Sequence, residues 1–249
     1  MEKILILGGG QSAFYAIDTF RKENKKDCIE LISKEQFLPY ERPPLSKGLL
    51  LNRVEEGGIY FRNKEYFEHN NIKVHLSTFV EYVDFKRSIV FTNDKKKFSY
   101  DKLLVATGST NRKLELFEVD ENDVFYLRDL NECYQIKERL KKINQVLIVG
   151  AGFIGLEIAS VACQLNKKVT VIEATSQVMG RVMPAEIGNL MKNKHEKMGV
   201  DFFLETQVKE VKQIQNNYKA FLSNGNEINF DIVIVGIGSS PAIDFIEKE

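Results

Sequence analysis

One stretch, Gln145 to Glu173 (QVLIVGAGFIGLEIASVACQLNKKVTVIE), narrows what this chain can fold into more than any other. Val146-Leu147-Ile148-Val149 is a β-branched and aliphatic run suited to a strand buried on both faces. Gly150, Gly152 and Gly155 follow as G-x-G-x-x-G. Ile154, Ile158, Val161, Ala162 and Leu165 then recur at helical spacing, and Val169-Thr170-Val171-Ile172 reads as a second strand ending on Glu173. Each glycine has a physical task. Gly150 lets the chain turn sharply out of the strand, Gly152 leaves bare backbone for a pyrophosphate, and Gly155 lets helix and strand pack closely. The unpaired N–H groups opening the helix, from Phe153 and Ile154, face that phosphate, where the helix dipole favours negative charge by roughly 0.3–1 kcal/mol. Glu173 is placed to accept hydrogen bonds from both hydroxyls of an adenosine ribose and to repel a 2′-phosphate. The nearest following arginine is Arg181. The stretch therefore predicts a dinucleotide site that prefers NADH to NADPH.

The chain opens with the same device. Ile4-Leu5-Ile6-Leu7 is a buried-type strand, followed by Gly8-Gly9-Gly10-Gln11-Ser12-Ala13, a G-x-G-x-x-A fingerprint. Ala13 takes the third glycine's place, which that packing position permits. Phe14, Ile17 and Phe20 carry a helix, and Ile29-Glu30-Leu31-Ile32 is the next strand. A second similarity indicates duplication: Tyr100-Asp101-Lys102-Leu103-Leu104-Val105-Ala106-Thr107-Gly108 parallels Phe230-Asp231-Ile232-Val233-Ile234-Val235-Gly236-Ile237-Gly238. Short β-like runs precede each copy: 74–76, 80–83 and 88–91, then 200–203, 208–211 and 218–221. The predicted fold is α/β, with two tandem Rossmann-like dinucleotide-binding domains whose parallel sheets carry β-meander insertions. Two such sites on one chain point to two dinucleotides meeting at their reactive rings, the arrangement for hydride transfer between a nicotinamide and a flavin.

Composition narrows the alternatives. Lys+Arg and Asp+Glu both number 35 among 249 residues, so no global charge argues for nucleic acid or an anionic membrane. Lys95-Lys96-Lys97 reads as a solvated face or turn. No apolar stretch is long enough to span a bilayer and no signal peptide precedes the first strand, so a cytoplasmic protein is expected. Cys28, Cys133 and Cys163 are dispersed without a C-x-x-C pair, and are expected to be buried structural thiols. His69, His75 and His195 form no metal-ligand spacing, and no metal is expected.

Between the first fingerprint and its meander lies Leu38-Pro39-Tyr40-Glu41-Arg42-Pro43-Pro44-Leu45-Ser46-Lys47. Its prolines block a helix and stiffen the loop. On composition alone it reads first as a surface loop before a helix, with solvated cations; folded back over a bound cofactor, it would instead place Arg42 and Lys47 near the anionic end.

With this loop the chain resembles the flavoprotein pyridine nucleotide oxidoreductases of the ferredoxin reductase type, relatives of apoptosis-inducing factor. The L-P-Y-x-R-P-P-L-S-K loop carries the resemblance. Gly8 to Ala13, Ala106-Thr107-Gly108, Tyr126-Leu127-Arg128, Gly150 to Glu157 and Arg181-Val182-Met183 support it over essentially the whole chain. The resemblance implies FAD and NAD(H) as cofactors. Gly8, Gly10, Gln11, Ser12 and Ala13 would cradle the FAD pyrophosphate with Arg42 adding charge. Val80 would hold the adenine through its backbone, and Thr107, Gly108 and Arg128 would also line the FAD. The NAD(H) set comprises Gly150, Gly152, Phe153, Ile154, Gly155, Glu173, Arg181, Gly236 and Gly238. Lys47 would stand against the isoalloxazine and pair with Glu157, a cation there stabilising the charge that develops as the flavin accepts hydride. Glu157 also reads as a solvated helix acid.

Two departures qualify what the resemblance implies. Lys34 stands where the family has an acid for the FAD ribose, a role lysine cannot fill and Glu35 is expected to take over. Residues 239–249 carry neither the family's Gly-Asp segment nor its C-terminal domain, so an incomplete FAD domain (1–112 plus 237–249) and an NAD(H) domain (113–236) are expected. The FAD domain's last parallel strand would be missing, leaving an apolar edge. The expected function is hydride transfer from NADH to FAD, then electron delivery to a small iron–sulfur (ferredoxin) or rubredoxin-type acceptor protein. The competing expectation is an NAD(H)/FAD-binding sensor or interaction module without turnover. Absence of a cysteine pair speaks against disulfide reductase chemistry. Oligomeric state is not legible.

Overall fold

The computed structural model describes residues 1–23, 26–116, 118–215 and 217–246, so residues 247–249 of the expected first domain lie outside the described residues. The chain forms two compact units. The first comprises Met1–Glu41, Glu56–Thr110 and the stretch from Pro241 on; the second comprises Arg42–Glu55 and Asn111–Ser240.

In the first unit the chain runs β1 (Lys3–Leu7), α1 (Gln11–Glu23), β2 (Cys28–Ile32), α2 (Lys64–His69), β3 (Ile72–His75), β4 (Val80–Asp84), β5 (Ile89–Thr92), β6 (Lys97–Ser99) and β7 (Lys102–Val105). The main sheet has the order β3-β2-β1-β7 and every pairing in it is parallel. The unbroken apolar run of β1 has a simple cause. Ile4 and Ile6 pack with Ala13, Phe14 and Ile17 of α1, while Leu5 and Leu7 join Val80, Val83, Val90 and Phe98 of the antiparallel meander β4-β5-β6. Alternate residues thus serve opposite faces, and each fully buried aliphatic side chain contributes roughly 1.5–3 kcal/mol. Arg21, buried on α1, is satisfied by carbonyls alone: Asn70 at 2.7 Å, Asp27 at 2.9 Å and Asn71 at 3.1 Å. It fastens the helix to the turn before β3. Among the described residues no strand pairs beyond β7, and Leu103, Leu104 and Val105 are only half-buried there.

The chain passes between units at β8 (Ser109–Asn111) and β17 (Ser239–Pro241). In the second unit it runs β9 (Val124–Phe125), α3 (Leu130–Leu140), β10 (Gln145–Val149), α4 (Phe153–Gln164), β11 (Lys168–Ile172), α5 (Ala185–Glu196), β12 (Val200–Phe203), β13 (Val208–Ile214), β14 (Asn217–Leu222), β15 (Glu227–Phe230) and β16 (Ile232–Val235). The parallel order is β12-β11-β10-β16-β9, with β13-β14-β15 as the antiparallel meander. Leu147 and Val149 meet Val211, Tyr218, Ala220, Leu222 and Phe230 of that meander.

The duplication extends to single hydrogen bonds. Leu7 pairs with Ile32 and Val105 as Val149 pairs with Ile172 and Val235. Gly8 N donates to Ile32 O and Gly150 N to Ile172 O, both at 2.8 Å. The repeated aspartate has a physical role: Asp101 Oδ2 accepts from Lys3 N at 2.7 Å, and Asp231 Oδ2 from Asn144 N and Gln145 N at 2.7 and 2.8 Å. Each carboxylate clamps the entry of one parallel strand, β7 or β16, to the entry of the glycine-motif strand it pairs with, β1 or β10.

Several elements lack a strong sequence signal. Helix α5 buries only Gly188 and His195 and leaves Ile187 and Leu190 exposed, so its apolar periodicity is poor. Helix α3 is set by a capping box, Asp129 with Glu132, together with Leu130, Cys133, Ile136 and Leu140. Strands β6 and β9 are short. Strand β3 runs Ile72–His75, two residues earlier at its start than expected, and Leu76 lies beyond its end. Lys95 sits in a turn at φ 63° and Lys97 on an exposed strand position. Of the three thiols only Cys133 is buried; Cys28 and Cys163 are half-buried, because one opens a strand and the other lies near a helix end. Among the described residues no helix is long and apolar enough to cross a membrane.

Candidate functional site

In the second unit the three motif glycines face three different surroundings. Gly150 adopts φ +104°, and a Cβ there would lie 2.4 Å from Gly236 O. A Cβ on Gly155 would lie 2.0 Å from Gly150 O, with an Ile148 methyl beneath it. Both are barred by protein backbone. Gly152, the N-cap of α4, has nothing within 4 Å of a Cβ position, and its φ of −78° is open to any residue. The bareness at Gly152 therefore serves no packing purpose inside the protein. It leaves bare backbone at the helix N-terminus, a place that favours an anionic group.

Glu173 stands at the end of β11. Its Oε2 accepts from Ala151 N at 2.8 Å, and its Oε1 accepts from Thr175 N and Thr175 Oγ1, both at 2.9 Å. The carboxylate is held by donors on both oxygens beside the glycine turn. These groups open onto a cavity of about 640 Å³ within the unit. Of the predicted residues, Arg42, Arg128, Gly150, Gly152, Phe153, Ile154, Glu173, Arg181, Gly236 and Gly238 line it. Three guanidiniums face one carboxylate, a balance suited to an anionic ligand. Arg42 Nη1 donates to Arg128 O at 2.6 Å, and Arg128 N is held by Glu132 Oε2 at 2.5 Å. Burial, with Asp129 close by, raises the Glu132 carboxyl above its ordinary value. Arg181 Nη1 lies 3.4 Å from where a Cβ on Gly238 would stand.

Lys47 and Glu157 also belong to this unit. Lys47 Nζ lies 2.7 Å from Glu157 Oε2 and 3.2 Å from Pro43 O. With the lysine half exposed, such a pair stabilises the fold by only ~0–1 kcal/mol, so stability does not account for it. The loop carrying Lys47 is firmly seated: Pro43–Ser46 forms a 3₁₀ turn, Leu45, Ser46, Leu49 and Leu50 are buried, and the Cys133 thiol donates to Leu45 O at 3.2 Å. A solvated surface loop does not describe it. Burial pushes that thiol up to about 12.

The first unit holds Gly8, Gly10, Gln11, Ser12, Ala13, Glu35, Val80, Thr107 and Gly108. Gly8 repeats the Gly150 arrangement, with φ +110° and a Cβ position 2.3 Å from Ala106 O. Gly10 repeats Gly152, with nothing within 4 Å. Gln11 and Ser12 are exposed at the start of α1, while Ala13 is buried. The Glu35 carboxylate accepts from Tyr40, Lys34 Nζ lies 5.7 Å from the centre of the Phe79 ring, and Val80 opens β4. Thr107 Oγ1 donates to Ala242 O at 2.7 Å, and Gly108 has φ 73°.

The structure thus divides the positions that the resemblance assigns to FAD. Arg42, Lys47 and Arg128 lie in the second unit, the remainder in the first. The sequence reading missed Asn111, Leu114, Thr175 and Gln207 in the cavity wall, and Ser46, which donates to Glu157 Oε2. No periodicity or motif marks the four wall residues, and Ser46, although inside the Leu38–Lys47 motif, carries no sign of its partner, because these groups converge only once the sheet has formed.

Comparison with known proteins agrees with this architecture. The family described as pyridine nucleotide-disulphide oxidoreductase matches residues 2–249. A rubredoxin-NAD(+) reductase of Ectopseudomonas oleovorans is 34% identical over 97% of this chain and 63% of that protein. The solved ferredoxin reductase for the CYP199A2 system of Rhodopseudomonas palustris superposes with a TM-score of 0.93 at 30% identity, covering 98% of this chain and 61% of that one. The reductase of a covalent putidaredoxin reductase–putidaredoxin complex superposes with a TM-score of 0.92 at 26% identity, over 98% and 60%. This chain spans less than two thirds of the length of each of these relatives.

Proposed function

The chain belongs to the pyridine nucleotide-disulphide oxidoreductase family, and from that premise we propose that it is an NADH-dependent, FAD-containing reductase serving a small ferredoxin- or rubredoxin-type carrier in the cytoplasm. FAD is assigned to the first unit and NAD(H) to the second. The observation that carries this reading is the second unit's cavity, where bare Gly152, the carboxylate of Glu173 and three arginines converge. The bare backbone at Gly10, which repeats that of Gly152, fits a second pyrophosphate in the first unit.

Bound FAD supplies the hydride acceptor and the one-electron exchange that an iron–sulfur carrier requires. The chain's own residues do the rest. Helix α4 presents its N-terminal amides to the NADH phosphates with Arg181 adding positive charge beside them, while Arg42 and Arg128 of the same cavity wall would serve the FAD. Glu173, held by Ala151 and Thr175, accepts from the ribose hydroxyls and repels a 2′-phosphate. Lys47, whose ammonium Glu157 holds in place, would supply positive charge to stabilise a flavin that has accepted hydride.

The test is anaerobic addition of NADH to the purified, FAD-supplemented protein while the flavin's visible absorbance is followed. Bleaching by NADH, at least tenfold less efficient with NADPH, is the expected result. A protein that binds both nucleotides without bleaching would instead be a binding module.

A further inference from the structure

Ser46 lies beside the Lys47–Glu157 pair and is not marked by any charge pattern or glycine motif. It closes the 3₁₀ turn Pro43–Ser46, whose prolines restrict the backbone, and its residue is only 2% exposed. Its hydroxyl donates to Glu157 Oε2, and the same hydroxyl oxygen accepts from Lys47 Nζ at 3.4 Å. Lys47 Nζ completes a closed triangle by reaching Glu157 Oε2 at 2.7 Å. Ser46 is the buried corner and Lys47 the half-exposed one.

We propose that Ser46 is a positioning residue: its buried hydroxyl fixes the Glu157 carboxylate and thereby sets where the Lys47 ammonium stands. A part-exposed ion pair alone is loose, because two long side chains gain little from one another in water and retain many rotamers. A hydroxyl donor on an anchored turn is different. Its bond to a carboxylate is charge-assisted, and its own position is fixed by packing rather than by the pair. Without it, Glu157 Oε2 keeps only the half-exposed lysine as a partner among the described residues. The relevance of Ser46 to hydride transfer rests on the function proposed above; its hold on Lys47 does not.

The experiment measures acylation of Lys47 by limiting acetic anhydride in the purified 249-residue chain, with and without added FAD. Peptide mass spectrometry scores Lys47 against the exposed Lys64 of the same sample. Ser46→Ala should raise the relative labelling of Lys47 roughly three- to tenfold, while in a Glu157→Gln background the same change should add less than about twofold. Ser46→Thr should bring labelling back towards the wild-type value. Unchanged labelling in Ser46→Ala, or an equal rise in both backgrounds, overturns the proposal. Should Ser46→Ala fail to fold, Ser46→Cys, a weaker donor of similar size, reads the same quantity. In stopped flow, Ser46→Ala should slow the limiting rate of flavin bleaching roughly tenfold without changing the NADH concentration for half-maximal rate. If wild-type protein is not bleached by NADH, the hydride-transfer reading fails while the labelling result still decides the role of Ser46.

Discussion

Gly150 and Gly152 belong to one motif, and replacing each by alanine should have opposite consequences. At Gly152 a methyl group meets no atom within 4 Å and the backbone conformation suits any residue. Alanine is a poorer N-cap than glycine by about 0.5–1 kcal/mol, but it restricts the unfolded chain and regains about 0.4–1 kcal/mol. The stability change should therefore lie near zero. The methyl instead fills the space a pyrophosphate needs, so affinity for NADH should fall at least about tenfold, equivalent to ~1.4 kcal/mol. At Gly150 the backbone sits at φ +104° and the methyl would lie 2.4 Å from Gly236 O. A left-handed alanine costs about 1–3 kcal/mol before the backbone clash is added, so Gly150→Ala should lose about 3 kcal/mol or more. Urea unfolding followed by circular dichroism, paired with NADH fluorescence titration, separates the two effects. Gly152→Ala binding NADH within twofold of wild type, or Gly150→Ala unfolding at the wild-type urea concentration, would refute the roles assigned to these two glycines.

Asp231→Ala should destabilise the second unit by about 1–2 kcal/mol, because two strand-entry amides lose their acceptor; a shift in urea midpoint worth less than ~0.5 kcal/mol would count against the clamp. Glu30 is penalised by burial, but its bond to His75 and the charges of Lys3 and Lys73 outweigh this and hold its carboxyl below 4.5. The folded protein thus binds this proton less readily than the unfolded chain, so the stabilisation is present above the ordinary carboxylate value and is lost as pH falls through the lowered one. Accordingly, the stability gap between wild type and Glu30→Gln should shrink between about pH 6 and about pH 3, and a constant gap would contradict the assignment. Cys133, with its thiol pushed up to about 12, should resist alkylation at neutral pH until the second unit unfolds, as peptide mapping of iodoacetamide-treated protein can check. Lys47→Ala should slow flavin bleaching by NADH roughly ten- to a hundredfold, and an unchanged stopped-flow rate would remove the lysine from the chemistry.

Much of the fold was legible in the residues because its rules are local. A strand serving two buried faces must be apolar throughout, and a chain leaving it at φ above +100° selects glycine, as at Gly8 and Gly150. The paired aspartates Asp101 and Asp231 carry a signal for the same reason, since each clamps a strand entry in an identical local setting. Helix α5 was hidden because its apolar residues do not all face inward.

By itself the sequence determined two Rossmann-like units, their order along the chain and the turns and close packing that select Gly8, Gly150 and Gly155, since backbone sterics and strand burial act over a few residues. Only the tertiary structure decided which distant side chains stand together. Ser46 and Glu157 lie 111 residues apart, and Arg42 meets the carbonyl of Arg128 across 86. No local pattern encodes such partnerships, because burial of Leu45, Leu49 and Leu50 seats that loop, and the geometry of its polar groups follows from that packing.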